Sequence, residues 1–141
     1  MKKRLFLLFA IAAGLVLLSG CKVSGRPLPQ GLEEETVLEQ GREVVSLLNG
    51  GSWQEVYDLL RADARETSSP GAIQSYMEER LDKAGAYKLE TEAMATGQKI
   101  KDTGEEYGTA VFYCKHEKKN LMYRVAYSTD MELMGIQVTV R

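Results

Sequence analysis

Leu121-Met122-Tyr123-Arg124-Val125-Ala126-Tyr127 is the stretch whose reading decides the fold. Leu121, Tyr123, Val125 and Tyr127 recur at every second position, the period of a strand with one apolar face. On the C-terminal side, the polar piece 128–132 has the length of a hairpin connection. It leads into Leu133–Val140, where Met134, Ile136, Val138 and Val140 fall together. On the N-terminal side, residues 107–114 form another strand, joined to the first by the charged connection 115–120. Further upstream the period turns to two at Tyr87, with Leu89, Thr91 and Ala93 alternating against Lys88, Glu90 and Glu92. The polar, unpatterned piece 97–104 reads as a loop or bulge.

Before Tyr87 the apolar spacing is helical. Leu32, Val37, Leu38, Gly41, Val44, Val45 and Leu48 share one face, with Glu33, Glu34 and Glu35 in the first turn, where carboxylates complement the helix dipole. Asn49-Gly50-Gly51 ends that helix through a left-handed glycine. Ser52 with Glu55 spells a capping box for a second helix, whose buried stripe is Trp53, Val56, Tyr57 and Leu60. Ser69-Pro70 starts a third, with Ile73, Tyr76, Met77 and Leu81 on its inner face and Gly85 at its end. Helices first and antiparallel strands after predict an α+β layer, with the helices covering one side of a sheet of about four strands.

The first 31 residues follow neither pattern. Met1-Lys2-Lys3-Arg4 is a positive cluster, and residues 5–18 are an apolar run shorter than the about 20 residues a spanning helix needs. Such a run after a charged start marks an export signal. Leu18 fits poorly at the third position before an ordinary cut, and Leu18-Ser19-Gly20-Cys21 instead resembles the lipobox of bacterial lipoproteins. The resemblance implies acylation of Cys21, cleavage between Gly20 and Cys21, and a bilayer partner outside the cytoplasmic membrane. Two acyl chains, at about 0.8 kcal/mol per buried methylene, make that attachment lasting. The expected organisation is therefore a signal at 1–20, a lipidated cysteine and tether at 21–31, and one domain at 32–141. Residues 22–31 reach at most ~35 Å when extended, which keeps the domain near the membrane.

Of 18 basic residues, three lie in the leader, and all 20 acidic ones lie beyond it. The exported part then carries about five net negative charges, which argues against a nucleic-acid partner. With Cys21 acylated, Cys114 has no disulfide partner.

The pattern Ser52-Trp53-x-x-Val56-Tyr57-x-Leu59-Leu60, then Ser69-Pro70, Gly85-Ala86-Tyr87 and Tyr123-Arg124-Val125-Ala126-Tyr127, is similar to an uncharacterised family, domain of unknown function 3887. So is the closing Asp130 … Met134-Gly135-Ile136-Gln137-Val138. The resemblance covers roughly 32–141. It implies a cone-like shape of the nuclear transport factor 2 superfamily, and an occurrence in Gram-positive lipoproteins and beside some hydrolases. It transfers no catalytic set.

For chemistry, Cys114 and His116 sit two apart on one strand face and could pair as nucleophile and base. Against this, Cys114 reads as a small buried hydrophobe, and His116 as the start of the charged turn with Glu117, Lys118 and Lys119. With one histidine and no metalloprotease, nucleotide or hydrolase motif, neither a metal site nor a cofactor is expected. Trp53, Tyr57, Tyr76, Phe112 and Tyr123 are candidates to line a pocket in the cone, although their spacing is equally that of core. The sequence thus favours a non-catalytic module that binds a small ligand or an envelope protein. A small enzyme using the cone, or an accessory domain to a cell-surface hydrolase, are the rivals. A sealed interior would point to interaction through the outer sheet face, and a buried carboxylate facing a polar residue would point to an enzyme.

Overall fold

The computed structural model describes residues 26–141. Four helices precede four strands: α1 (Glu34–Asn49), α2 (Trp53–Leu59), α3 (Ala62–Glu66) and α4 (Pro70–Ala84), then β1 (Tyr87–Lys99), β2 (Glu106–His116), β3 (Asn120–Ser128) and β4 (Leu133–Val140). The strands form one antiparallel, curved sheet in the order β1-β2-β3-β4. The α+β architecture read from the two periodicities is the one observed.

Register sorts the sheet into two faces. Ala93, Phe112, Tyr123 and Val138 stand in one row across all four strands, and Ala95, Ala110, Val125 and Ile136 in the next. These rows join Val37, Val44, Leu48, Val56 and Met77 of the helices in one core. The opposite, outer face presents Met94, Val111, Arg124 and Gln137 in its middle row, flanked by Thr96, Thr109, Ala126 and Gly135 on one side. On the other side stand Glu92, Tyr113, Met122 and Thr139.

Helix α1 lies close to the sheet because Gly41 has no side chain. A Cβ there would stand 2.8 Å from Phe112 Cε2 and 2.9 Å from the Ala110 Cβ. Helix α4 docks against the free edge of β4. The Tyr76 hydroxyl accepts from the Val138 N–H (2.9 Å) and donates to its carbonyl (3.3 Å), and Arg80 Nε donates to the same carbonyl at 2.7 Å. An edge strand otherwise offers unpaired groups to any passing strand. At the other edge, the Gly97 N–H reaches the Arg26 carbonyl at 3.4 Å, and a Cβ on Gly97 would fall on the Pro27 carbonyl. Leu28 and Leu32 then lie over Gly108, and Pro29 is buried.

Four sequence expectations need correction. β1 runs through Gly97 to Lys99, so the loop expected at 97–104 is confined to a tight connection in which Gly104 adopts φ +78°. Register shifts between Tyr87 and Leu89 and between Glu90 and Glu92 break the alternation. Such bulges turn the following residues to the other face, leaving Leu89 half exposed and bringing Glu90 to the Cys114 row. Ser52 precedes α2 but its hydroxyl makes no cap; its backbone N–H instead bonds the Leu47 carbonyl at 3.0 Å as the chain doubles back. The left-handed glycine after α1 is Gly51, one residue beyond the Gly50 cap. Helix α3 was not anticipated, since five residues are too few to show a period. By contrast, Ser69 Oγ caps α4 by accepting from Ala72 N at 3.0 Å, and Gly85 ends it at φ +80°.

Replacing Gly41 by alanine separates packing from propensity. Alanine is the better helix former by about 1 kcal/mol, yet the intruding methyl meets Phe112 and Ala110. We expect Gly41→Ala to lower stability by about 1–3 kcal/mol in urea denaturation, and a stabilised variant would contradict the close approach.

Candidate functional site

Tyr123 stands at the centre of the inner face and is 0 % exposed. Its hydroxyl, 2.9 Å from His116 Nε2 and 3.0 Å from Asn49 Nδ2, links the sheet to the end of α1. His116 Nδ1 lies 2.8 Å from the Gly85 carbonyl, which can only accept, so Nδ1 carries the proton and donates. In the neutral ring Nε2 therefore accepts from the Tyr123 hydroxyl, whose oxygen accepts from Asn49. The Asn49 amide also donates to the Val45 carbonyl at 2.8 Å. Both ring nitrogens of His116 and the Tyr123 hydroxyl are satisfied by protein, which is what allows them to sit in the core. Burial pushes the Tyr123 phenol well above its usual range.

This arrangement places the residues singled out from sequence. His116 does not begin the exposed turn: it is buried, because the strand continues to it and Gly85 supplies an acceptor. Cys114 is 1 % exposed, and its thiol is pushed up to about 11, chiefly by burial. Both ring nitrogens of His116 face other partners, so the nucleophile–base geometry considered for Cys114 and His116 is not formed. Phe112 is 1 % exposed beneath Gly41, while Trp53, Tyr57 and Tyr76 are partly buried and packed on the same core. The Tyr76 hydroxyl is engaged by Val138 and the Tyr123 hydroxyl by His116 and Asn49, so neither points into open space. Glu90 brings a carboxylate to an inner row, and it is held by Arg42 through two bonds of 3.0 and 3.1 Å. Gly20 and Cys21 lie outside the described residues. Among the described residues no three His, Cys, Asp or Glu side chains gather in a metal-binding group, and no helix is long and apolar enough to cross a membrane.

At the other end of the sheet, Arg61 bridges Asp63 (2.8 Å) and Glu105 (2.6 Å), tying the α2–α3 junction to the β1–β2 connection. Arg61 holds the Asp63 carboxyl below the usual range. Sequence reading passed over Arg61 and Asn49, because nothing local marks a polar residue whose partner lies far along the chain.

Sequence reading named the outer sheet face without singling out any residue on it. β3 is buried at every position from Leu121 to Ser128, on both faces, although the described helices pack on one. Arg124, in the centre of the second face, is only 4 % exposed, and its Nε has no hydrogen-bond partner; neither has Oε1 of its cross-strand neighbour Gln137. Burial pushes the Arg124 guanidinium down from its ordinary value. The signal was legible in principle: a charge interrupting Met122 and Ala126 on the face opposite the apolar one.

A family model described as protein of unknown function (DUF3887) matches residues 41–136. An NMR structure of a protein from Ruminococcus gnavus ATCC 29149 is similar, at 28 % identity and a TM-score of 0.66. The match covers 79 % of this chain and 96 % of that one. No curated protein matches.

Two outcomes follow from the buried polar chain. Tyr123→Phe leaves His116 Nε2 without a partner and removes one of the two Asn49 amide bonds, and should cost about 1–3 kcal/mol by thermal or urea unfolding. An unchanged stability would mean the bonds are not formed. The Cys114 thiol should resist alkylation until the protein unfolds. Because its folded value is raised from 9.0 to about 11, its contribution to stability is complete below pH 9.0 and lost as pH climbs through about 11. Comparing pH-dependent unfolding of Cys114→Ala with the unsubstituted protein measures this contribution.

Proposed function

Because this chain belongs to the DUF3887 family, a family of unknown function, we propose its role from its own surfaces: a non-catalytic interaction module of a bacterial lipoprotein. It is held outside the cytoplasmic membrane through acylated Cys21 and docks a partner on its outer sheet face. The observation that carries the docking is that β3 is buried on both faces while the described helices cover one. A sheet with one face in water alternates apolar and polar residues along each strand. Here Val111, Met122 and Ala126 on the second face are apolar and buried, at 3 %, 4 % and 1 % exposure, although the described helices pack on the other face.

Three other routes to a partner are filled or engaged at one residue. The inner rows are filled by Phe112 and Tyr123 under α1, the β4 edge is engaged by Tyr76 and Arg80, and the β1 edge by the Arg26 carbonyl. A shape like that of the nuclear transport factor 2 superfamily belongs to the same proposal: helices over one face of a curved sheet leave the other for a partner. The lipid anchor rests on Leu18-Ser19-Gly20-Cys21, and with residues 26–29 packed on the sheet only residues 22–25 separate it from the domain.

Cys21→Ala should abolish metabolic labelling with fatty acid and leave either a soluble protein or an unprocessed precursor in cell fractionation. Persistent labelling would overturn the anchor. For the docking, small-molecule and peptide binders found by NMR should shift signals of Val111, Met122 and Ala126. Shifts centred on Ala110, Phe112 and Val138 would instead support an active site inside the cone.

A further inference from the structure

The charges of the domain are sorted to opposite ends of the sheet. One end carries the turn between β2 and β3, with Lys118 and Lys119 exposed in it and Lys115 and Lys88 exposed on the paired ends of β2 and β1. These four lysines make no ion pair among the described residues. The acids beside them are mostly engaged: Glu117 Oε1 accepts from the Ala86 N–H at 2.8 Å, Glu79 pairs with Lys83 at 3.9 Å and Glu90 with Arg42, which leaves Asp82. The turn is fastened to the end of α4, since the Lys118 and Lys119 N–H groups both donate to the Ala84 carbonyl (2.7 and 3.3 Å). Tyr87 and Leu89, two of the three large apolar side chains exposed among the described residues, stand at this same end, opposite His116 and Lys115. At the far end the balance reverses. Glu33, Glu34 and Glu35 open α1 there, with Asp130 and Glu132 between β3 and β4, while Lys99 and Lys101 are matched by Asp102 and Glu106.

We propose that this tip takes a thin, flexible phosphodiester polymer with polyol or sugar links. Lys88, Lys115, Lys118 and Lys119 meet its phosphates, and Tyr87 and Leu89 lie against its carbon links. The proposal goes beyond the docking reading and uses none of the buried outer-face residues. Lysine is a mobile point charge that binds phosphate without demanding one geometry, which suits a repeating, loosely ordered anion. The exposed ring and leucine gain by covering the apolar carbon between phosphates. Exposed charges are screened beyond about 8 Å at physiological ionic strength. A narrow chain at the tip therefore does not feel the acids of the far end, which lies about 26 Å away along β2. A stiff duplex laid along the domain would feel them, and the net negative charge opposes it. The bilayer is disfavoured as the source of phosphate, because residues 26–29 pack at the Gly97 and Gly108 end. A membrane held through the proposed anchor is met at that end, and the lysines point the other way.

The probe is synthetic poly(glycerol phosphate), set against uncharged polyglycerol of the same length. Both are titrated into the isotope-labelled full-length protein in phosphatidylcholine nanodiscs. The charged polymer should shift the amides of Leu89, Lys115, Lys118 and Lys119 to saturation, with log affinity falling against log salt at a slope of about 3. Each single Lys→Gln change at 115, 118 or 119 should lower that slope by about 1. The three together should weaken binding more than about tenfold at low salt, with an unchanged melting temperature. Leu89→Ser should weaken binding and leave the slope as it was. Equal binding of polyglycerol, an affinity indifferent to the lysine changes, or no saturable shift would overturn the proposal. So would polymer shifts centred on Val111, Met122 and Ala126, which would move the contact to the outer face. In a parallel arm without polymer, phosphatidylglycerol nanodiscs should leave the lysine amides where phosphatidylcholine places them. Shifts in that arm would assign the tip to the bilayer and likewise overturn the polymer.

Discussion

The hydroxyl of Tyr123 is the constraint around which the rest is arranged. A phenol wholly removed from water must find a donor and an acceptor, and Asn49 and His116 supply them. Meeting that demand fixes where α1 ends, how far β2 extends and where the turn after α4 presents the Gly85 carbonyl. Apolar packing alone would tolerate some sliding of helices over a sheet. A chain of bonds running from Gly85 through His116 and Tyr123 to Asn49 tolerates far less.

With that register fixed, the two faces of the sheet have separate duties. The inner one is closed by a glycine in α1 and by aromatic rings, among which Tyr123 and Tyr76 have their hydroxyls engaged. The outer one is finished to the same standard without a described layer over it. The asymmetry is why a search for chemistry inside the cone meets bonded partners, while the unsatisfied atoms are on the opposite side. Folds of this kind carry many activities, and here the function is argued from the surface residues, not from the shape.

Much of the frame was legible because it is written in local periods. The alternation 121–127 gave β3, the Ser69-Pro70 signal gave α4 and its cap, and the change of period at Tyr87 gave the order of layers. What escaped had distant or cumulative causes. The bulges in β1 invert the face of Leu89 and Glu90, and no pattern of two announces them. Ser52 had the right spacing for a cap, but the doubled-back chain engaged its backbone instead of its hydroxyl. His116 read as turn because its neighbours are charged; its burial depends on Gly85, 31 positions away. Five aromatics were considered for a pocket, and sequence could not show where the hydroxyls of the three tyrosines among them point. Arg124 was quoted as part of a pattern and not weighed, since burial of a charge is a property of three dimensions.

The lock that Tyr76 and Arg80 place on the Val138 backbone has a consequence beyond the single molecule. Proteins fastened to a bilayer are concentrated into a thin layer, where encounters between like domains are frequent. An unguarded last strand would let neighbouring copies zip together into ribbons, and each recruited copy would expose the next free margin. By occupying both hydrogen-bonding groups of one residue midway along that margin, the helix interrupts the template. On the proposed lipid anchor, this lock would keep a crowded population dispersed and leave its broad surface for a different kind of encounter.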